Sequence, residues 1–258
     1  MDFIKAQALG NDFVIIDAID LNQPLSELSK KLADRHYGIG CDQVIFVVGE
    51  QVRFFNADGS EAEACGNGSR CVAKYLMEQR NVESITLSTL GGDLFAKRAN
   101  NGEITITMQK PTWEILDPSQ FQNIDCLFAV SVSVGNPHLV FFVNDIKQVQ
   151  HRGEELEHHP LFPNRVNVGF AEVVSRSQLN LQVWERGVGL TLACGSGACA
   201  AAVAGSVTGL TDSKLCVVQP GGALSVEIGN SGKLLMTGPA EFVFRGWIDL
   251  AAITSAHQ

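Results

Sequence analysis

Ala64-Cys65-Gly66-Asn67-Gly68 returns 129 residues later as Ala193-Cys194-Gly195-Ser196-Gly197, in a chain of 258 residues. The displacement is half the length, so the chain reads as two matching halves, each with one cysteine at the start of a helix. The match extends outward. Leu9-Gly10-Asn11 has a partner in Val134-Gly135-Asn136, displaced by 125 residues, and the strand-like run 52–56 ahead of the first cysteine is mirrored by 181–185 ahead of the second. Other runs that alternate or are rich in Val and Ile predict strands over 12–17, 44–48, 85–89, 104–108, 130–134, 139–143 and 215–218. Helical spacing appears over 25–35, 67–79 and 196–208. The fold class is α/β (α+β), and the polar segment 113–123, with Pro111 and Pro118 as breakers, is the natural junction. The expected domains are 1–116, carrying Cys65, and 117–258, carrying Cys194, with the last strand, about 243–250, a candidate to return to the first.

Glycines at 66, 68, 195 and 197 surround each strand-to-helix transition, where they permit close backbone approach. The free N–H groups of a helix's first turn form an anion site suited to a carboxylate. The same partial positive charge favours thiolate over thiol at the capping cysteine. Two such helices aimed at one carboxylate would place Cys65 and Cys194 on either side of the adjacent α-carbon. A thiolate on one face removes the α-proton, a thiol on the other returns one, and the dipole ends stabilise the enolate-like charge between. The chemistry expected from this pair is racemisation or epimerisation without a cofactor.

Competing readings weaken on inspection. The pairs Cys65/Cys71 and Cys194/Cys199 are not CxxC, and a helix spreads them poorly for tetrahedral zinc, so no metal is expected. A cysteine hydrolase with His138 as base leaves the second cysteine unexplained. Pyridoxal phosphate needs a Schiff-base lysine and a phosphate cradle, for which no persuasive candidate exists. The glycine motifs do not follow the nucleotide-binding patterns. Cys41, Cys71, Cys126, Cys199 and Cys216 are read as packing residues.

A net charge of −9 without a basic stripe argues against nucleic acid, and 45% apolar residues suffice for well-buried cores. Seven cysteines, an odd number spread along the chain, read as reduced thiols in a cytoplasmic protein. Met1-Asp2-Phe3-Ile4-Lys5 lacks the features of a signal peptide, and the stretch 193–210 is too rich in Gly, Ala and Ser to suggest a membrane span.

With these residues in hand the chain resembles the diaminopimelate epimerase family of pyridoxal-independent enzymes. The segments that carry the resemblance run in family order: Leu9-Gly10-Asn11-Asp12-Phe13, Gly38-Ile39-Gly40-Cys41-Asp42-Gln43, the block from Asn56 to Arg70, Gly135-Asn136-Pro137-His138, Arg165-Val166-Asn167-Val168-Gly169-Phe170, and Glu185-Arg186-Gly187 through Gly197. The resemblance implies two pseudo-symmetric domains, each a strongly curved, mostly antiparallel sheet around a central helix. It places the active site in the cleft between them and implies a homodimer acting on a small amino-acid substrate. It implies Cys65 and Cys194 as catalytic acid/bases, with His138 and Glu185 tuning the thiols. Asn11, Gln43, Asn56, Gly66, Asn67, Asn136, Asn167, Glu185, Arg186, Gly195 and Ser196 are the implied substrate-binding residues. The implied reaction takes LL-2,6-diaminopimelate to the meso isomer, in lysine and peptidoglycan precursor synthesis.

Bland roles exist for several of these taken singly: Asn11 and Asn136 as turn residues, His138 as a surface histidine, Glu185-Arg186 as an exposed pair. Their joint occurrence is what points to a site. Leu190 stands where the family commonly has Glu, and the chain is somewhat shorter than most members, which leaves fine specificity open. The alternatives are a related racemase acting on histidine or proline, or a non-catalytic amino-acid-binding protein.

Overall fold

The computed structural model describes residues 1–17 and 24–249. The chain divides into two compact units, one formed by Met1–Ile106 with the stretch from Gly238 onward, the other by Thr107–Thr237. The cut falls ahead of residue 116 because the strand at Thr112–Leu116 pairs with Phe128–Ser133 and so belongs to the second unit.

The first unit opens with a hairpin of β1 (Asp2–Ala8) and β2 (Asn11–Asp17), joined by Leu9 and Gly10 at φ 57° and 83°. A two-residue turn with both positions left-handed matches the twist of its strands, and it delivers Asn11 to the first position of β2. Helix α1 (Leu25–Ala33) then crosses to β3 (Gln43–Val48), which runs parallel to β2. This helix stops short of Arg35 because the Asp34 carboxylate accepts the His36 and Tyr37 amide N–H groups at 2.7 and 2.8 Å, a side-chain turn that replaces the helical one. β4 (Gln51–Asn56) and the short β5 (Glu61–Ala62) lead into α2 (Gly66–Arg80), and β6 (Ser84–Thr89) returns parallel to β4. β7 (Gly92–Arg98) and β8 (Ile104–Met108) continue antiparallel, while the C-terminal strand Glu241–Trp247 lies antiparallel to β1. Leu250, at the end of the strand expected over 243–250, lies outside the described residues. Helix α2 contacts β1, β2, β3, β6 and β7, so the sheet curls around it.

The second unit repeats this plan. β9 (Thr112–Leu116), β10 (Phe128–Ser133) and β11 (Pro137–Phe142) are antiparallel, and α3 (Val149–Glu157) crosses to β12 (Asn167–Ser175), parallel to β11. β13 (Gln178–Glu185) and β14 (Gly189–Thr191) lead into α4 (Gly195–Val207), after which β15 (Lys214–Gln219) runs parallel to β13. β16 (Gly222–Ile228) and β17 (Leu234–Gly238) complete it. Each unit is thus a mostly antiparallel sheet with two parallel pairs and a central helix, an α+β fold occurring twice.

Outside each central helix a second core lies under the crossover helix. Beneath α1 it includes Leu25, Leu32, Val44, Phe46 and Phe55, and beneath α3 it includes Val149, Leu156, Leu139, Phe141 and Phe170. Each fully buried aromatic or aliphatic side chain of this kind contributes about 1.5–3 kcal/mol. Helix α4 is buried on all faces from Ala198 to Gly205, so its small residues let strands approach closely from every side. Among the described residues no helix is long and apolar enough to cross a membrane.

Candidate active site

Cys65 caps α2 and Cys194 caps α4, both in extended conformation. In each case the backbone N–H three residues on donates to the sulphur, Gly68 N to Cys65 Sγ at 3.4 Å and Gly197 N to Cys194 Sγ at 3.4 Å. The first intrahelical bonds run from Ser69 N to Cys65 O and from Ala198 N to Cys194 O. The N–H groups of Gly66, Asn67, Gly195 and Ser196 therefore precede the ladder of each helix. A Cβ at Gly197 would stand 2.9 Å from Val183 Cγ2 and 3.3 Å from the Cys194 sulphur, so only glycine lets the amide reach its thiol.

Around Cys65, Asn11 at the head of β2 turns its Oδ1 to the sulphur at 4.0 Å and accepts from Asn67 Nδ2 at 3.3 Å. Gln43 and Asn56 face each other across β3 and β4, with Gln43 Nε2 donating to Asn56 Oδ1 at 2.8 Å. Gln43 Oε1 is buried with no hydrogen-bond partner among the described residues, which leaves an acceptor for an ammonium group.

Around Cys194 the electrostatics are more pronounced. Burial pushes this thiol well above its ordinary value and the Glu185 carboxylate adds to the effect, against the Ser196 hydroxyl at 3.5 Å and the Gly197 N–H. Glu185, at the end of β13, is held by Thr191 Oγ1 at 2.7 Å. Asn136 donates to Ser196 Oγ at 3.3 Å, and its Oδ1 lies 3.1 Å from His138 Nε2. His138 is buried, and burial together with the Arg186 charge pushes its pKa down to about 3, so the ring is neutral at physiological pH. Within its own unit the ring meets Asn136 rather than Cys194, while Glu185 is the group beside that thiol.

Asn167 is also buried, and both ends of its amide are engaged: Oδ1 accepts from Arg186 N at 3.0 Å and Nδ2 donates to Pro137 O at 2.8 Å. It ties the heads of β11 and β12 to the Glu185-Arg186 turn and keeps at most one N–H for a ligand. The Arg186 side chain donates to Asn164 O at 3.2 Å.

Two residues that the sequence reading passed over build this half. Gln219, at the end of β15, accepts the Cys194 N–H at 2.8 Å. Glu157, buried at the end of α3, accepts from Trp184 Nε1 at 2.8 Å and Gly187 N at 2.9 Å and so fixes the turn that carries Glu185 and Arg186. Among the other thiols, burial pushes both Cys41 and Cys71 up to about 12, as it raises Cys194. Among the described residues no cluster of three His, Cys, Asp or Glu side chains could hold a metal ion.

The match to known proteins covers both halves. Residues 3–114 and 130–243 fit the family model for diaminopimelate epimerase. The chain is 41% identical over 273 residues to the diaminopimelate epimerase of Teredinibacter turnerae, spanning 96% of this chain and 99% of that one. It is 41% identical over 272 residues to that of Pseudomonas entomophila, with 96% and 99% covered. Among solved structures, a phenazine biosynthesis protein of the PhzF family from Bacillus anthracis shares the fold, with TM-score 0.76 and 17% identity over 97% of this chain and 99% of that chain. With a cysteine-capped helix in each unit and a family match through both, the chain belongs to the diaminopimelate epimerase family.

Proposed function

We propose that this chain is an isomerase that converts LL-2,6-diaminopimelate to meso-diaminopimelate by a two-thiol mechanism without a cofactor. The observation that carries the reading is the matched pair of cysteine N-caps, each at the start of a helix and each with a backbone N–H on its sulphur. The reading requires both thiols to address one α-carbon. The carboxylate of that carbon binds the first-turn N–H groups of Gly66-Asn67 and Gly195-Ser196, which also stabilise the charge that develops when the α-proton leaves. Cys194, held as thiol by burial and by Glu185, is the resting acid, and Glu185 takes its proton when it serves as base.

The amides of Asn11, Gln43, Asn56, Asn136 and Asn167, together with Arg186, bind the ammonium and carboxylate groups of the two ends of the substrate. Neutral His138 keeps Asn136 oriented. The homodimer and the cytoplasmic setting are part of the same reading; an odd number of cysteines, seven, spread along the chain supports a reducing compartment.

Proton NMR of LL-diaminopimelate with reduced enzyme in D₂O tests this. Loss of the α-proton signal with appearance of meso product is expected; a folded, reduced sample that produces neither would refute the substrate assignment.

A further inference from the structure

Asn11, Asn67 and their neighbours form a hydrogen-bonded chain with a charge at each end. Arg70, fully buried in the first turns of α2, donates from its NH2 nitrogen to Asn67 Oδ1 at 2.9 Å. Asn67 Nδ2 donates to Asn11 Oδ1 at 3.3 Å, and Asn11 Nδ2 donates to Asp42 Oδ2 at 2.8 Å. Asp42 is held in turn by Arg35, whose NH2 nitrogen donates to Oδ1 at 2.8 Å while bridging to Asp12 at 2.7 Å. The Asp12 N–H also donates to Asp42 Oδ2, at 3.1 Å. A carboxylate only accepts and a guanidinium only donates, so the two ends fix which way both amides face. The Asn11 oxygen therefore faces the Cys65 sulphur and the Asn11 nitrogen faces away from it.

We propose that Asp42 is a positioning residue for Cys65, acting through Asn11: its carboxylate holds the Asn11 amide so that the oxygen, an acceptor, faces the thiol and Asn67. The proposal rests on the reading of Cys65 as an acid/base. Asp42 touches neither the sulphur nor the reacting atoms, and its side chain is 44% exposed, so it can be replaced at little cost to packing. In Asp42→Asn one oxygen remains where two accepted from Arg35, Asn11 and the Asp12 N–H; with it on Arg35, the charged donor, the new nitrogen meets Asn11 Nδ2. Donor against donor turns the Asn11 amide over. Its nitrogen then faces Cys65 and opposes Asn67 Nδ2, which is itself held by Arg70. Asp42→Glu keeps an anionic acceptor and serves as the conservative control.

The experiment measures kcat and KM on diaminopimelate for wild type, D42N and D42E, together with the pH profile of iodoacetamide alkylation at each cysteine by peptide mass spectrometry. D42N is expected to lower kcat by about tenfold or more, the scale of losing one hydrogen bond to a charged group. The midpoint of the Cys65 profile is expected to move to lower pH while that of Cys194 stays, with D42E close to wild type in both. A folded D42N protein whose Cys65 profile and kcat match wild type overturns the proposal, as does a variant in which both cysteine profiles move together, which marks a general structural effect. A wild-type enzyme that does not epimerise the substrate would sink the reaction assigned above, while the alkylation profiles would still decide the role of Asp42.

Discussion

A single methyl group at Gly197 separates what stability needs from what the reaction needs. In Gly197→Ala the new Cβ would sit 2.9 Å from Val183 Cγ2, 3.2 Å from Cys194 Cβ and 3.3 Å from Cys194 Sγ. Ordinary carbon contacts need about 3.5–4.0 Å, so α4 and β13 must part by roughly 0.6–1 Å or the cysteine must turn. Overpacking of this size costs about 1–3 kcal/mol, and replacing glycine by alanine inside a helix returns about 1 kcal/mol. The net is about 0–2 kcal/mol, a fall of at most about 4–8 °C in Tm for a chain of this size. Catalysis has no such offset, since misplacing a reacting group by about 1 Å costs on the order of 100-fold, and kcat is expected to fall about 10- to 100-fold. Gly205→Ala is the control at the far end of the same helix: its Cβ meets Thr211 Oγ1 at 2.6 Å, Cγ2 at 3.0 Å and Cβ at 3.3 Å, with no sulphur among the nearest atoms. It should lose stability on the same scale and keep kcat near wild type. Thermal unfolding and turnover on diaminopimelate measured for both variants decide the matter. The reasoning fails if G197A keeps wild-type kcat or if the two variants lose activity equally.

Glu157→Ala leaves the Trp184 and Gly187 N–H groups unpaired and frees the turn bearing Glu185 and Arg186; a loss of about 2–4 kcal/mol in denaturant unfolding is expected, and a loss under 1 kcal/mol would show that the buried carboxylate does not hold the turn. Asp12 is half-buried, which alone would raise its pKa, but hydrogen bonds and charge from Arg35 and Lys5 hold it well below the usual carboxylate range. Its contribution is present above the unfolded value and lost as pH falls through the folded one, so stability should decline on the acid side, and Asp12→Asn should flatten that decline when unfolding is followed from pH 6 downward. Brief iodoacetamide treatment near neutral pH should modify half-buried Cys65 well before buried Cys41 and Cys71, whose pKa burial pushes up to about 12; peptide mapping that finds Cys41 or Cys71 labelled first would contradict this ordering.

The strands that read clearly from the sequence are those whose apolar residues follow the pleat, such as β3 and β13. β1 did not, because Lys5 points inward: it is 9% exposed and bonded to Asp12 and to the Gly40 carbonyl, a polar residue in a core position that breaks the pattern. α3 was hidden for a related reason. Its sequence carries four charged residues and Gly153 at its centre, where a Cβ would come within 2.6 Å of the Trp184 ring, so the glycine that weakens the helical signal is required by the packing. The repeat could have found it, since α1 begins at Leu25 and α3 at Val149, each between the first pair of parallel strands of its unit. Within the candidate site, the cysteines and the Gly-Asn pairs were legible because they recur. Glu157 was not, since nothing distinguishes it in sequence from the exposed Glu154 and Glu155 beside it. Gln219 has a trace in the repeat: Thr89-Leu90-Gly91-Gly92 and Gln219-Pro220-Gly221-Gly222 occupy matching places, and Gly91 N to Glu63 O and Gly221 N to Leu192 O are the same bond, at 2.8 Å in both.

What recurs is backbone, and what differs is the side chain nearest each sulphur. Both helices offer the same cap and the same N–H at 3.4 Å, a device set by the glycines alone. Cys65 then faces the Asn11 amide oxygen, whereas Cys194 is held as thiol by burial and the Glu185 carboxylate, against the Ser196 hydroxyl. An inverting enzyme cannot use this inequality to favour one isomer, because a catalyst leaves the equilibrium between them untouched. Unequal surroundings let the two sulphurs differ in proton affinity, which two identical sites could not do. On the two-thiol reading proposed above, the recurring cap serves the geometry of inversion, and the departures from the repeat at Ser196 and Glu185, where the first half has Asn67 and Asn56, serve its proton bookkeeping.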